Sequence, residues 1–153
     1  MKKIFVASLL TIIFSNVSFA QESGYGIGLV LGEPSGLSGK IWLDNTQAVD
    51  IGIGAGLFGD GAGLSIHSDY LYHIKDLLKW KYKLPFYYGF GIRMRFPANS
   101  DFNFGVRGVV GLMMYLKNMP VDVFFELAPS FRLLPTTGLN LDLAIGGRYY
   151  FNL

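Results

Sequence analysis

The stretch FYYGFGIRMRF, residues 86–96, alternates large apolar residues with glycine or arginine over most of its length. Phe90 and Ile92 share one parity, and Arg93 and Arg95 share the other. Successive side chains of a β-strand point to opposite faces, so the pattern predicts a strand with one apolar face. Its length matches the roughly 9–11 residues that a tilted strand needs to cross a bilayer.

Seven further segments of the chain repeat this alternation. Clusters of Gly, Pro, Asn, Asp and Ser, which are typical of turns, separate most of them. Residues 75–83 show no clean alternation, and we expect them to form the longest connection. The seven segments are residues 25–31, 37–43, 49–57, 64–74, 104–115, 121–132 and 139–151.

Eight strands with one apolar face would leave two unpaired edges in an open sheet, and closure removes both. No stretch of about 18 apolar residues follows the first 20 residues, so helical membrane spans are not predicted. The sequence therefore predicts an all-β fold, an eight-stranded antiparallel up-and-down transmembrane β-barrel.

The first 20 residues have the composition of an export signal. Lys2 and Lys3 give a positive start, residues 4–14 form an apolar run, and Ser18 and Ala20 are small residues where a signal peptidase reads. An N-terminal membrane anchor is the alternative, but the apolar run is short for a span. We predict a signal peptide at residues 1–20 and a barrel domain at residues 21–153.

The composition excludes several functional classes. Hydrophobic residues make up 51% of the chain and charged residues 16%, whereas soluble domains average about 25% charged residues. The net charge is only +2, and the lysines and arginines form no basic cluster, so no nucleic-acid partner is predicted. The chain has no cysteine, which excludes disulfides, a thiol nucleophile and a cysteine-bound metal.

The residue types on each parity indicate which face is inside. Charged residues share their parity with glycines, which leave room for long side chains in the narrow interior of an eight-stranded barrel. Aromatic residues on the apolar face lie near strand ends, as in the girdles of membrane barrels. This pattern favours a membrane barrel over a soluble lipocalin-like barrel. The aromatic residues are Tyr25, Tyr70, Tyr72, Phe96, Phe102, Tyr149 and Phe151.

The inward parity predicts a polar network that fills the lumen. Buried charges persist when they are paired, and we expect Glu126 to pair with Arg107 or Arg148. A filled lumen argues against a continuous channel. The predicted network consists of Lys40, Asp50, His67, Asp69, Arg93, Arg95, Arg107, Glu126, Arg132, Asp142 and Arg148.

Four stretches resemble a widespread group of small bacterial outer-membrane barrels: GEPSGLSGKIWL at 32–43, HSDYL at 67–71, LPFYYG at 84–89 and GGRYYF at 146–151. The strand count and charged interior also resemble the transmembrane domain of the outer-membrane protein A type. The resemblance implies a location in the outer membrane of a Gram-negative-type bacterium, among lipid and lipopolysaccharide. It implies no shared activity, and a monomer is expected.

The last strand ends in a pattern that resembles the insertion signal of outer-membrane barrels. Gly146, Tyr149 and Phe151 carry this likeness. It implies recognition by the barrel-assembly machinery during insertion. With the N-terminus on the periplasmic side, the outward loops are residues 32–36, 59–63, 97–101 and 133–138, which are short for a large receptor.

Candidate catalytic and metal-binding groups occur on one predicted strand. Ser65, His67 and Asp69 resemble a triad in composition, but residues two apart on a strand lie roughly 6.5 Å apart, too far for a relay of hydrogen bonds. Ser68 is predicted to face outward beside His67. The same spacing spreads His67, Asp69 and His73 too widely for one metal ion.

Two other features have ordinary structural interpretations. The alternating glycines at 24, 26 and 28 are not followed by a helix, so they do not predict a dinucleotide site. Trp80 is interpreted as an aromatic anchor in a periplasmic connection. No cofactor is predicted.

The favoured function is therefore a non-enzymatic outer-membrane barrel with a structural or interaction role. Two alternatives remain open: an outer-membrane enzyme that acts on lipid or lipopolysaccharide, and a narrow channel or transporter of small apolar ligands.

Overall fold

The computed structural model describes residues 23–56, 62–77 and 84–151, which form eight strands. The predicted signal peptide, Trp80 and part of the β3–β4 loop lie outside the described residues. The strands are β1 (Tyr25–Gly32), β2 (Ser35–Trp42), β3 (Gln47–Gly56), β4 (Gly63–Ile74), β5 (Phe86–Pro97), β6 (Asn103–Tyr115), β7 (Val121–Leu134) and β8 (Gly138–Phe151).

The strands form one closed barrel in which each strand pairs with its neighbours in sequence. All pairs are antiparallel, and β1 closes on β8 with Tyr25 opposite Phe151. The predicted eight-stranded antiparallel up-and-down barrel is confirmed. Within the described ranges, no helix has both the length and the apolar character needed to span a membrane.

The barrel has two ends, which we call the base and the mouth. At the base, β1 begins beside the end of β8, with Tyr25 opposite Phe151. At the mouth lie the connections β1–β2, β3–β4, β5–β6 and β7–β8, which include Glu33 and Thr136. The location of each cluster described below is given relative to these two ends.

The β1–β2 connection is shorter than the predicted loop at residues 32–36, since only Glu33 and Pro34 lie between the strands. Ser35 Oγ accepts the Gly32 N–H at 3.0 Å and donates to the Gly32 carbonyl at 2.9 Å, which closes the turn. Gly32 has φ +135°, a conformation that side chains disfavour. The predicted loop was therefore too long, because the hydrogen bonds between Gly32 and Ser35 let the two strands continue closer to the turn.

The two faces of the wall differ sharply in polarity. Outward side chains are apolar and exposed, such as Phe90 at 65% and Leu139 at 81%, whereas Arg95 and Arg148 inside are 2% and 1% exposed. Aromatic pairs lie on the outer wall near both ends. They are Tyr72–Tyr88 and Tyr149–Phe151 near the base and Phe96–Phe102 near the mouth.

A proline interrupts the wall midway along β7. The β6–β7 register contains Arg107 opposite Ser130 and next Val110 opposite Leu127, with no paired residues between them. The β7–β8 register continues through Pro129 opposite Leu141. Proline has no N–H to donate, so the missing bond lies on the β6 side. A hollow of about 680 Å³ lies on the outer wall at this position.

Candidate functional site in the barrel interior

The interior holds ten of the eleven residues of the predicted polar network, all of them buried. They come from seven strands, β2 to β8, because the inward parity of each strand carries at least one of them. The ten are Lys40, Asp50, His67, Asp69, Arg93, Arg95, Arg107, Glu126, Asp142 and Arg148.

Arg132, the eleventh residue, is less buried than the other ten. It is half-exposed near the end of β7, and its Nε donates to the carbonyl of Thr136 at 2.9 Å. Arg132 pairs with Gly138, the first residue of β8, so its side chain reaches the β7–β8 turn. Arg132 also lines the small interior cavity beside Arg93 and Arg95, so it belongs to the inner wall near the mouth, and its role in the polar network stays a prediction.

Arg148 organises the half of the interior nearer the base. It forms an ion pair with Asp50 and places Nε 3.4 Å from Asp122 Oδ1. The Tyr150 hydroxyl donates to the other oxygen of Asp122 at 2.6 Å. The Arg148 guanidinium also lies 4.0 Å from the centre of the Phe124 ring. Two carboxylates and an aromatic face thus surround one buried cation.

Lys40 and His73 form a second contact close to the base. Lys40 Nζ lies 2.7 Å from His73 Nε2, and His73 Nδ1 lies 3.1 Å from the carbonyl of Thr46. Since an ammonium only donates and a carbonyl only accepts, this geometry assigns the neutral tautomer with the proton on Nδ1. Lys40 Nζ also lies 4.6 Å from the Trp42 ring centre.

Arg107 is the centre of the middle cluster. Its Nη2 donates to Glu126 Oε1 at 2.6 Å, and its Nε lies 3.3 Å from Asp69 Oδ1. The Tyr87 hydroxyl donates to the second oxygen of Glu126 at 3.0 Å. Of the two pairings expected for Glu126, the one with Arg107 is formed, while Arg148 binds the aspartates nearer the base.

Arg93 and Arg95 hold the cluster at the mouth. Arg93 Nη1 lies 2.8 Å from Asp142 Oδ2 and donates to Ser130 Oγ at 3.1 Å. Arg95 forms an ion pair with Glu33, whose Oε1 also lies 3.7 Å from Arg93 Nη2. The β1–β2 turn therefore supplies a carboxylate to the interior.

Sequence reasoning missed Glu33, Asp122, Tyr87 and Tyr150 as members of these clusters. Glu33 stands among turn residues, where charge is ordinarily solvated. Asp122, Tyr87 and Tyr150 lie on the inward parity, so the alternation itself could have identified them. A rule that follows every inward polar group, tyrosine included, would have found these three.

Glycines on the inward face make room for these bulky groups. A Cβ at Gly52 would collide with the His67 ring, and one at Gly111 would collide with the Tyr87 ring. Small residues opposite large ones allow a narrow barrel to be filled. The shared parity of glycine and charge therefore has a direct steric cause.

The residues that resemble a triad do not form a nucleophile–base contact. Ser65 Oγ and His67 Nδ1 are buried, and neither has a hydrogen-bond partner in the described part of the chain. His67 Nε2 lies 3.8 Å from Asp69 Oδ2. Nucleophilic catalysis needs a base within hydrogen-bond reach of the nucleophile, and this geometry does not supply it. Ser68 lies on the outer face.

His73 lies in the basal contact with Lys40, apart from the His67–Asp69 pair. In the part of the chain that the structure describes, no group of three metal-ligating side chains could hold a metal ion.

Two cavities inside the charged clusters are very small, with about 20 Å³ beside Arg93 and about 10 Å³ beside Glu126. A single water molecule needs roughly 10–15 Å³ of such volume. A larger cleft of about 460 Å³ lies at the mouth, between Glu33 and the beginning of β8.

The three residues of the predicted insertion signal lie at the closing strand. Tyr149 and Phe151 point outward, with ring centres 4.9 Å apart, and Gly146 pairs with Val30 of β1. Residues 152–153 lie outside the described residues. Recognition by the assembly machinery stays a prediction.

Comparisons with protein families, with curated proteins and with solved structures find no significant match to this chain.

Proposed function

We propose that the chain is a monomeric integral β-barrel of the bacterial outer membrane, with a charge-filled lumen and a structural or interaction role. One observation carries this proposal: the barrel is apolar outside and charged inside. Exposed leucines, isoleucines and phenylalanines cover the wall, while arginine, aspartate and glutamate are buried in the centre.

The energetics of this distribution support a lipid environment. Each large apolar side chain left in water forgoes about 1.5–3 kcal/mol of burial free energy. Monomeric soluble proteins rarely expose apolar patches beyond a few hundred Å². In lipid the same wall carries no such cost, and closure of the barrel pairs β1 with β8 where an open sheet would have two free edges.

Two further observations agree with an outer-membrane location. Aromatic pairs lie on the outer wall near both ends, where the interfaces of a membrane attract tyrosine and phenylalanine. The sequence also begins with a predicted export signal and ends its last strand with an insertion-type pattern.

The proposal is tested by membrane fractionation and by gel mobility. We expect the expressed protein in the outer-membrane fraction, resistant to extraction with alkaline carbonate. In dodecyl sulfate the unboiled protein should migrate as a compact species that shifts on boiling. Recovery in the soluble periplasmic fraction, or a mobility that boiling leaves unchanged, would refute the proposal.

A lipid A profile tests the non-enzymatic part of the proposal. Ser65→Ala and His67→Ala should leave the profile of the host's lipid A identical to that of the unaltered protein, because the two side chains make no catalytic contact. A deletion strain provides the control. A species of lipid A that appears with the intact protein and disappears with both variants would contradict this expectation.

A further inference from the structure

The β1–β2 hairpin ends before the wall does. The last β1–β8 pair is Gly32 opposite Ala144, and beyond it the Glu33 N–H donates to the Leu143 carbonyl at 3.0 Å. Strand β8 begins at Gly138. Residues 138–142 therefore have no partner from β1 among the described residues, and this edge of β8 borders the mouth.

A cleft of about 460 Å³ occupies this position. Its inner side is formed by Glu33, Arg93 and Arg95, and its other side by β8. Leu139, Leu141 and Leu143 of β8 point outward from the wall. The cleft thus connects the apolar outer surface to two buried arginines, and it opens sideways as well as toward the mouth.

The Glu33 carboxylate contacts both arginines, and Asp142, which also lines the cleft, pairs with Arg93. Glu33 Oε1 forms an ion pair with Arg95 and lies 3.7 Å from Arg93 Nη2. Arg93 Nε and Nη2 are buried and make no hydrogen bond to the described residues. Arg93 therefore keeps donor capacity for a group with more oxygens, directly beside the Arg95 guanidinium.

Glu33 is attached to a turn and not to a strand. Turn residues move at a lower free-energy cost than paired strand residues. A Cβ at Gly56 would collide with both the Arg95 guanidinium and Glu33, so the absence of a side chain at Gly56 makes room for this pair. The carboxylate therefore occupies a position that an external anion could take if the turn moved.

We propose that this cleft binds the phosphate headgroup of an anionic lipid, which enters from the side and displaces the Glu33 carboxylate from Arg93 and Arg95. The acyl chains then lie along the leucines of β8. This inference rests on the proposed membrane location. A lipid is favoured over a free phosphate ion because the leucines of β8 lie beside the arginines in the same cleft, which gives acyl chains an apolar surface that an inorganic ion does not need.

The experiment measures lipid retention by native mass spectrometry of the full barrel in dodecyl maltoside. Phosphatidic acid is the probe, phosphatidylcholine with the same acyl chains controls for the headgroup, and inorganic phosphate controls for the chains. The variants are Glu33→Gln, Arg95→Gln and Lys117→Gln. Lys117 is exposed in the β6–β7 turn at the base, so its replacement removes the same charge far from the cleft.

We expect phosphatidic acid to be retained in preference to phosphatidylcholine. Arg95→Gln should weaken its binding about tenfold, the value of one charge-assisted hydrogen bond. Glu33→Gln should tighten it about threefold or more, because a competing charge is removed. Lys117→Gln should match the unaltered protein.

Equal binding by all four proteins overturns the inference, as does equal retention of the two lipids. Competition by inorganic phosphate at the same concentration as phosphatidic acid identifies a free-anion site and overturns the lipid assignment.

The boiling-dependent mobility shift is recorded for each protein. If Arg95→Gln does not fold, Glu33→Gln still decides, since it must bind more tightly. Failure of the membrane proposal is distinguishable, because it abolishes the shift in the unaltered protein as well.

Discussion

At the scale of single residues, the interior depends on arginines that each contact several acceptors. Arg148 binds Asp50 and Asp122, and Arg107 binds Glu126 beside Asp69. The planar guanidinium offers five donors in a fixed fork, which a lysine ammonium does not. Each such cation is compensated by carboxylates from other strands, so the loss of one group leaves the others buried without compensation.

We expect Arg148→Gln to lower the free energy of unfolding by about 3–5 kcal/mol, because Asp50 and Asp122 stay buried without their cation. Equilibrium urea unfolding in lipid vesicles measures the change. Lys117→Gln, at an exposed turn, is the control and should change stability by less than about 0.5 kcal/mol. A loss below about 1 kcal/mol for Arg148→Gln would contradict the dependence of the two aspartates on this cation.

Asp44 determines a pH dependence at the β2–β3 turn. Its Oδ1 accepts the N–H groups of Thr46 and Gln47, both at 2.7 Å. The hydrogen bond from the Thr46 N–H, foremost, lowers the pKa of Asp44 below its usual value. Because the folded pKa lies below the unfolded value of about 3.9, the stability from Asp44 is present above that pH and lost as the pH falls through the folded pKa.

Asp44→Ala should therefore be less stable than the unaltered protein at pH 6, and the difference should shrink as the pH falls below about 4. Urea unfolding at a series of pH values measures both proteins. Asp101→Ala, at an exposed position of the β5–β6 loop, controls for the general effect of removing an acidic group. A difference that stays constant from pH 6 to pH 2 would contradict this account.

At the scale of elements, Pro129 causes one irregularity of the wall. It leaves the β6–β7 ladder open between Arg107–Ser130 and Val110–Leu127. In lipid a backbone group without a partner costs more than it does in water. The strand still forms because its β8 side remains paired through the proline.

Pro129→Ala should raise the free energy of unfolding by about 1 kcal/mol, because it restores an N–H where β7 faces β6. Urea unfolding in vesicles is again the measurement. Pro97→Ala, at the end of β5 where the strand pairing stops, should give no such gain. A loss of stability in Pro129→Ala would mean that the rigid proline favours the fold more than the missing bond weakens it.

The alternation of residue types predicted all eight strands, with ends within a few residues of those observed. Parity also identified most of the buried charges, because a strand exposes its two faces strictly in turn, although Asp122 was overlooked. It could not identify Glu33, since its position depends on how a turn folds over the mouth. Nor could it predict that Arg132 is half-exposed while Arg95 is buried, since that depends on how the side chains pack near the mouth.

At the scale of the whole molecule, the charged clusters form a continuous plug from base to mouth. The basal contact of Lys40, the pairs of Arg148 and Arg107, and the cluster of Arg93 follow one another along the axis. The cavities beside Arg93 and Glu126 hold about 20 and 10 Å³, which suffices for about one water molecule each.

The purified barrel should therefore show no stepwise conductance in planar bilayers. Recordings in concentrated potassium chloride provide the measurement, with boiled protein and a protein-free bilayer as controls. Unitary current steps that scale with salt concentration, and that boiling abolishes, would contradict a filled lumen and favour the narrow channel.

The closing pair of Tyr25 and Phe151 has a consequence for the order of the chain. Because β1 starts where β8 stops, a short flexible linker can join them, and the chain can be reopened between Asn99 and Ser100. This circular permutation keeps every strand pairing but moves Phe151 to the interior of the sequence. Refolding into micelles then reports on the barrel alone. With the predicted export signal placed before Ser100, recovery in the outer membrane reports on whether Gly146, Tyr149 and Phe151 must lie in the last strand of the chain.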